Sequence, residues 1–180
     1  MMGLNGTYTD ADSGILSLEE AAVGLSREGR FANQTILRWT VADHLLACMH
    51  LAGEWNDPRI RLLVGLHDYH ESMLRDVPTT FKTNAARRFE RKLDKRLYAM
   101  LEIKPPTRHD ASVIHFIDKE MLLAEASLVA PLATYKRIKK ENSAYAGVPA
   151  RRSVKWVLNQ QLTEAETAAE WLRQIKELLK

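Results

Sequence analysis

The segment from Arg61 to Lys82, which reads RLLVGLHDYHESMLRDVPTTFK, carries the residues best suited to chemistry. It places the adjacent pair His67 and Asp68 directly after an apolar run, and Glu71 follows one helical turn later. A helix through this segment, turning by about 100° per residue, puts Glu71 on the same edge as both residues. Imidazole and carboxylate groups that share an edge can hold a metal ion or move protons.

The end of the same segment suggests a phosphate-binding site. Asp76 and the helix breaker Pro78 are followed by Thr79, Thr80 and Lys82. This stretch can fold back over the edge that carries His67 and offer hydroxyl, backbone and ammonium donors to an anion. The segment as a whole therefore predicts a combined metal and phosphate site.

Two motifs elsewhere add candidate ligands and give the chain a recognisable order. His44 lies in VADH and Asp118 lies in FIDKE, each within an apolar helical pattern. The resulting order, H…HD…D, resembles that of the HD-domain metal phosphohydrolases. HDYHESMLRDVPTTFK is similar to the HD-A-x-E-x-x-x-x-D-x-P-x-x-x-K stretch of the YfbR-type 5′-deoxynucleotidases. LSREGRF and TVADH also resemble that branch, so the similarity extends over roughly residues 18–128.

The resemblance implies one divalent transition metal, held by His44, His67, Asp68 and Asp118. Mixed nitrogen and oxygen ligands favour Mn²⁺, Co²⁺, Ni²⁺, Fe²⁺ or Zn²⁺ over Mg²⁺ or Ca²⁺, and Co²⁺, Mn²⁺ and Zn²⁺ are the leading candidates. An additional Mg²⁺ would accompany a polyphosphate substrate. Such an ion polarises a phosphorus centre and lowers the pKa of water. Glu71, which lies outside the ligand set, is then available for proton transfer.

The resemblance also implies roles for five other residues. Asp76 matches a carboxylate implicated in catalysis, and we expect it to assist Glu71. Lys82 and Thr79 are expected to contact the phosphate. Arg30 and Phe31 match an Arg-aromatic pair that lies against the nucleoside, although the YfbR-type enzyme has tryptophan where Phe31 stands.

The chain departs from the family pattern at two neighbouring positions. Tyr69 and His70 occupy positions that are small in much of the family. They are expected to narrow the pocket edge or to add a proton donor. His50, His109 and His115 stand alone, and we interpret them as surface or satisfied core groups rather than ligands of a second ion.

The function that these motifs imply is metal-dependent removal of phosphate from 2′-deoxynucleotides, with deoxyadenosine nucleotides as the leading substrates. The layout resembles both the YfbR-type monophosphatases and the DatZ-type dATP triphosphohydrolases of certain phages. A basic run within 136–155 would favour a triphosphate if it folded over the site. The alternative hypotheses are a degenerate HD protein that binds nucleotide or nucleic acid without catalysis, and a guanosine-tetraphosphate hydrolase.

Length and composition fit one soluble domain. The chain has 180 residues, 46% of them apolar, a net charge of +3 and one cysteine. We predict one domain over 1–180, with a metal-site core at 18–128 and a helical extension at 131–180. No signal peptide or membrane span is predicted, so we expect a cytoplasmic protein, in the host cytoplasm if it is encoded by a phage. Neither a membrane nor a nucleic acid is an expected partner.

The pattern predicts an all-α fold, and the resemblance implies an HD-domain helical bundle. Helix starts are predicted at Asn84 and at four N-cap residues, which are Ser17, Thr40, Asp57 and Thr163. The region 131–155 is predicted to be looser and partly mobile. Further helices are predicted over 85–101 and 111–129. A small-residue stripe on the last helix, 164–179, predicts a homo-oligomer.

Overall fold

The computed structural model describes residues 14–77 and 82–180 of the chain. Within these ranges it contains α-helices, turns and an isolated antiparallel bridge between Gly29 and Thr40, with no β-strand. The all-α prediction is therefore confirmed. The division into a core and a C-terminal extension stays a prediction.

The helices are labelled in chain order. They are α1 (Leu18–Arg27), α2 (Val41–Gly53), α3 (Pro58–Leu66), α4 (Glu71–Leu74), α5 (Asn84–Met100), α6 (Arg108–Val129), α7 (Leu132–Glu141), α8 (Arg151–Gln160) and α9 (Glu164–Leu178). A short 3₁₀ turn, Phe31–Asn33, lies between α1 and α2.

The four predicted caps at Ser17, Thr40, Asp57 and Thr163 are confirmed, and each follows from local hydrogen bonding. Ser17, Thr40 and Thr163 each accept from a backbone N–H three residues later, and an acidic residue at that position bonds back to the cap. Asp57 caps α3, whose first residue is Pro58. These contacts satisfy N–H groups that a helix leaves unpaired at its start.

Three predicted boundaries are wrong. Thr83, rather than Asn84, caps α5, so that helix includes Asn84 and ends at Met100. α6 begins at Arg108 instead of 111 because Thr107 and Asp110 form a capping box that the sequence analysis overlooked. The region 131–155 contains all of α7 and the start of α8.

The loop between α7 and α8 is anchored to α6. The buried carboxylate of Glu120 accepts hydrogen bonds from the backbone N–H groups of Ala146, at 3.2 Å, and Gly147, at 2.6 Å. Gly147 has φ of +68°, and a side chain there would meet the backbone of α6. The loop was predicted to be loose and mobile, but in the structure its backbone is hydrogen-bonded to α6.

The helix that was predicted to carry the His-Asp pair ends one residue before it. α3 stops at Leu66, and a turn over 67–70 separates it from α4. Backbone bonds from Tyr69 N to Leu66 O and from Glu71 N to Asp68 O tighten the chain in this turn. His67 and Asp68 thus project from a turn, and their relation to Glu71 is set by that turn rather than by helical spacing.

The largest cluster of buried apolar side chains takes residues from α1, α2, α3, α5, α6, α8 and α9. α9 packs against α1 and α3, with Ala168, Trp171 and Ile175 buried. The Trp171 indole N–H donates to the Gly65 carbonyl at 2.9 Å. The small-residue stripe from which an oligomer was predicted is therefore partly buried within the chain's own core, and Ala169 remains exposed.

Across the described ranges, the structure has no helix whose length and apolar character would let it cross a membrane.

Candidate metal centre

Three packed elements meet at the predicted ligands. α2 packs against α3 and α6, and α3 also packs against α6. His44 lies on α2 and is fully buried, Asp118 lies on α6, and His67 and Asp68 lie in the turn after α3. Residues that are far apart in the chain are therefore held together by the rigid contact of three helices.

The donor atoms of the four predicted ligands face one another. His44 Nε2 lies 3.4 Å from His67 Nε2, 3.7 Å from Asp68 Oδ2 and 3.7 Å from Asp118 Oδ1. His67 Nε2 lies 3.3 Å from Asp68 Oδ2 and 4.0 Å from Asp118 Oδ1. Two ligands about 2.1 Å from a tetrahedral cation are separated by about 3.4 Å, so the cluster has the size of a metal site.

Hydrogen bonds determine which nitrogen of each imidazole carries the proton when the ring is neutral. His67 Nδ1 lies 2.7 Å from the Val64 carbonyl oxygen, which can only accept, so Nδ1 carries the proton and donates it. His44 Nδ1 likewise donates to Glu125 Oε1 at 2.6 Å. In the neutral rings both Nε2 atoms then present lone pairs to the cluster. Two facing lone pairs beside two carboxylates fit a divalent cation.

Glu125 was missed by the sequence analysis. It is fully buried, on α6, seven residues after Asp118, which is two helical turns and hence the same face. Arg30 lies 3.5 Å from Glu125 Oε2 and 3.4 Å from Asp68 Oδ2. A glutamate within the apolar stretch LLAEASLV was the available signal, because a buried carboxylate requires a partner.

The electrostatics of the cluster favour positive charge between the ligands. Burial alone would lower the pKa of His67, but the carboxylates of Asp68 and Asp118 raise it to about 9. Burial alone would raise the pKa of Asp68, but His67, His44 and Arg30 hold it well below its ordinary value. A bound cation would supply the positive charge that the proton on His67 supplies otherwise.

Glu71 lies on the adjoining wall, where Asp68, His70 and Glu71 form a second group of potential ligands. Burial and the negative charges of Asp68 and Asp76 raise the pKa of Glu71 well above its ordinary value. Glu71 Oε1 lies 3.7 Å from Lys82 Nζ. The predicted catalytic carboxylate is therefore buried beside the ligands in a setting that makes it able to hold a proton.

Two of the residues expected to contact phosphate or assist catalysis have protein partners. Lys82 Nζ lies 2.9 Å from Glu90 Oε1 as well as near Glu71. The Asp76 backbone N–H donates to Glu28 Oε1 at 3.1 Å, while its charge acts on Glu71. Thr79 lies outside the described residues.

The residues expected at the nucleoside lie next to the cluster. Arg30 is buried, and its guanidinium faces the carboxylates Asp68 and Glu125. Phe31 is half-buried in a turn with φ of +56°, and its ring centroid lies 6.0 Å from the Arg30 guanidinium carbon. Arg30 therefore has a charge-balancing contact with the candidate metal centre that the sequence analysis did not foresee.

The basic segment makes other contacts. Arg151 donates to Ser127 and Arg152 pairs with Glu54, so these two cations are directed to α6 and to the end of α2. The cation beside Asp118 is instead Lys119, whose Nζ lies 3.7 Å from Asp118 Oδ2. The expectation that the segment folds over the ligands draws no support from these contacts.

Cys48, the single cysteine of the chain, is buried with its Sγ 3.6 Å from His44 Nε2. Burial and the nearby carboxylates raise the pKa of this thiol well above its ordinary value, which keeps it neutral. Of the isolated histidines, His50 contacts Ser153 at 3.0 Å, and His109 and His115 are exposed. The described ligand groups include none of them.

In comparisons with known proteins, the chain matches no protein-family model and no curated protein. The resemblance to HD-domain enzymes therefore depends on the motifs themselves, and the function has to be argued from the site.

Proposed function

We propose that the protein is a metal-dependent phosphohydrolase that releases the 5′-phosphate group of 2′-deoxynucleotides, with deoxyadenosine nucleotides as the preferred substrates. The observation that carries the proposal is the convergence of His44, His67, Asp68 and Asp118, in which the two histidine Nε2 atoms lie 3.3 to 4.0 Å from each other and from an oxygen of each aspartate. A divalent cation held by these residues would polarise the phosphorus centre and lower the pKa of the attacking water.

The surrounding residues support hydrolysis rather than metal storage. Glu71 has a buried carboxylate with a raised pKa, which suits it to accept the proton of the attacking water. As the water oxygen bonds to phosphorus, the bond from phosphorus to the 5′-oxygen breaks, and that oxygen takes up a proton. Arg30 and Lys82 are cations on this wall and offset the charge of the carboxylates and of a phosphate.

Monophosphates and triphosphates can share this chemistry because the same ester bond breaks in each. A deoxynucleoside monophosphate yields deoxynucleoside and phosphate, and a triphosphate yields deoxynucleoside and triphosphate. The experiment is a product assay on a panel of deoxynucleoside mono- and triphosphates with Mn²⁺ or Co²⁺, measuring nucleoside, phosphate and triphosphate separately.

We expect nucleoside release from deoxyadenosine substrates that requires added metal and is lost in His67→Ala. His109→Ala is the matched control, since His109 is exposed on α6 and outside the described ligand groups. Nucleotide binding without turnover across the panel would support the degenerate binding protein instead. Pyrophosphate release from guanosine tetraphosphate, with inert deoxynucleotides, would support the guanosine-tetraphosphate hydrolase.

A further inference from the structure

A second group of potential ligands borders the first. Asp68, His70 and Glu71 each offer a ligand atom, and these atoms lie within 4.8 Å of one another. Asp68 Oδ2 also lies 3.7 Å from His44 Nε2 and 3.3 Å from His67 Nε2, so this carboxylate lies between the second group and the two histidines of the first. We propose that Asp68, His70 and Glu71 hold a second divalent cation, with Asp68 shared between the two ions. The inference deepens the proposed function and rests on the same centre, but the number of bound ions can be measured without turnover.

Two buried atoms on this wall lack a hydrogen-bond partner among the described residues. They are Nε2 of His70, a residue only 7% exposed, and Oε2 of Glu71, a residue only 4% exposed. Glu90 Oε1 lies 3.8 Å from His70 Nε2, which is too far for a hydrogen bond. Buried polar atoms are nearly always paired, and a cation between these two would satisfy both.

The His70 ring is oriented in the way that metal-binding histidines usually are. Its Nδ1 lies 3.0 Å from Asp94 Oδ1 on α5, which allows the ring to donate a proton to that carboxylate. In the neutral ring, the Nε2 atom then carries the free lone pair. A carboxylate behind a histidine raises its basicity and holds its orientation. His44 has the same arrangement with Glu125, so both ligand groups contain a histidine supported by a carboxylate.

The charge of this wall also favours a cation. The contacts of His70 and Glu71 bring together more acidic groups than basic ones; the acidic groups are Asp68, Asp76, Glu90 and Asp94, and the basic groups are Lys82 and Arg30. Lys82 does not fill the gap, because its Nζ is 2.9 Å from Glu90 and 3.7 Å from Glu71. Uncompensated negative charge at a buried wall attracts a metal ion.

The ligand chemistry selects the class of ion. Two carboxylates and one imidazole suit Mn²⁺, which accepts oxygen-rich sites with a nitrogen ligand. Paired ions in phosphate-ester enzymes are about 3.5 to 4 Å apart and contact the attacking and leaving oxygens. The two-ion form makes Glu71 a ligand, so the proton of the attacking water then passes to another group, for which Asp76 is available. His50, His109 and His115, which the sequence analysis did not assign to a second ion, are not among these ligands.

The experiment counts ions in the full-length protein without substrate. Metal-free protein is titrated with Mn²⁺, passed through gel filtration and analysed for bound manganese. We expect about two ions per chain in the wild type, and about one in His70→Gln and in Glu71→Gln, because each variant removes a ligand of the second ion only. His109→Gln is the matched control and should keep both ions.

Electron paramagnetic resonance separates a paired site from two distant sites. Two Mn²⁺ ions that share Asp68 should give a spin-coupled spectrum in the wild type, and His70→Gln should give the spectrum of an isolated ion. A count of one in the wild type, or two coupled ions in a folded His70→Gln variant, would overturn the inference. Turnover with a single ion would keep the proposed function and reject this site, whereas two coupled ions without turnover would do the reverse.

Discussion

His44 Nδ1 and Glu125 Oε1 lie 2.6 Å apart although 81 residues separate them, and both side chains are fully buried. The carboxylate holds the ring so that Nε2 faces His67, Asp68 and Asp118. It also faces Arg30, at 3.5 Å, so the pair belongs to a charged network rather than standing alone in the core. The orientation of His44 therefore depends on α6, which also supplies Asp118.

Glu125→Gln should weaken metal binding without unfolding the protein. The amide is similar in shape but removes the negative charge that makes His44 a better ligand and that balances Arg30. Loss of a group that orients a ligand typically lowers metal affinity or activity by about 10- to 100-fold. Isothermal titration with Mn²⁺ measures the change, and Glu141→Gln, at the exposed end of α7, is the control. Equal Mn²⁺ affinity in Glu125→Gln and wild type would show that His44 is held by other contacts.

The ligands themselves should be required for the metal more than for the fold. His67→Ala and Asp68→Ala should each abolish turnover and the binding of the ion between His44 and Asp118. The helical content should stay near that of the wild type. The reason is that both residues lie in a turn at the surface of the apolar core rather than within it. Bound manganese and circular dichroism give the two readouts. Full activity in either variant would remove it from the ligand set.

The sequence predicted well those features that are set by neighbours in the chain. The capping boxes at Ser17, Thr40 and Thr163 each need only residues within one turn, and the structure has all three. The break after Leu66 was missed because continuous apolar spacing hides a turn whose bonds, such as Tyr69 N to Leu66 O, become visible only in three dimensions. Asp57 and Pro58 marked the start of that helix but could not mark its end.

The sequence predicted which residues converge at the candidate site but not the residues that support them. The motif order names His44 and Asp118, but nothing local connects Glu125 with His44 or Asp94 with His70. Those pairs depend on how α6 lies against α2 and how α5 lies against the turn at His70, and helix packing is set by the whole core. Residues that orient ligands are thus harder to find from sequence than the ligands.

Glu71→Ala should slow the reaction while the ion held by His44, His67 and Asp118 remains bound. In the one-ion form Glu71 accepts the proton of the attacking water, and loss of such a residue costs about 10²- to 10⁴-fold in kcat. In the two-ion form Glu71 holds the second ion instead, and kcat should fall because that ion is lost. The measurement combines kcat at saturating metal with the affinity of the tightest ion. If that ion is lost in step with activity, Glu71 belongs to the first ligand group, and its proposed separation from that group is wrong.

The homo-oligomer stays a prediction, now with a narrower basis. Because α9 buries Ala168 and Ile175 inside its own chain, the surface left for a partner copy includes Ala165 and Ala169, which are exposed. Ala169→Glu should then weaken self-association, since a charge at a close helix contact cannot be paired easily. Light scattering at micromolar concentration tests both points. A monomeric wild type would reject the oligomer itself, and an unchanged Ala169→Glu assembly would place its interface elsewhere.

Phe31 and Arg30 give the last prediction, which concerns recognition of the nucleoside. An unpaired buried hydroxyl costs about 1 to 3 kcal/mol, so a pocket with no partner for a 2′-hydroxyl would favour deoxynucleotides by tenfold or more in kcat/KM. Stacking of a base on an aromatic ring contributes about 1 to 3 kcal/mol, and Phe31→Ala should therefore reduce the preference for adenine. Phe89→Ala is the control, because Phe89 is exposed on α5.

Arg30→Ala should impair all substrates alike, and the structure adds a second effect. Because the guanidinium pairs with Asp68 and Glu125, its loss should also alter Mn²⁺ affinity, which a residue that contacted only substrate would leave unchanged. Kinetics on matched ribo- and deoxynucleotides and Mn²⁺ titrations of both variants distinguish the roles. Equal turnover of ribonucleotides, or an unaltered base ranking in Phe31→Ala, would place the nucleoside away from these residues, with Trp39 and Tyr69 as the next aromatic candidates. Both are buried, so they could contact a base only if the pocket opened, and for this reason Phe31 remains the better assignment.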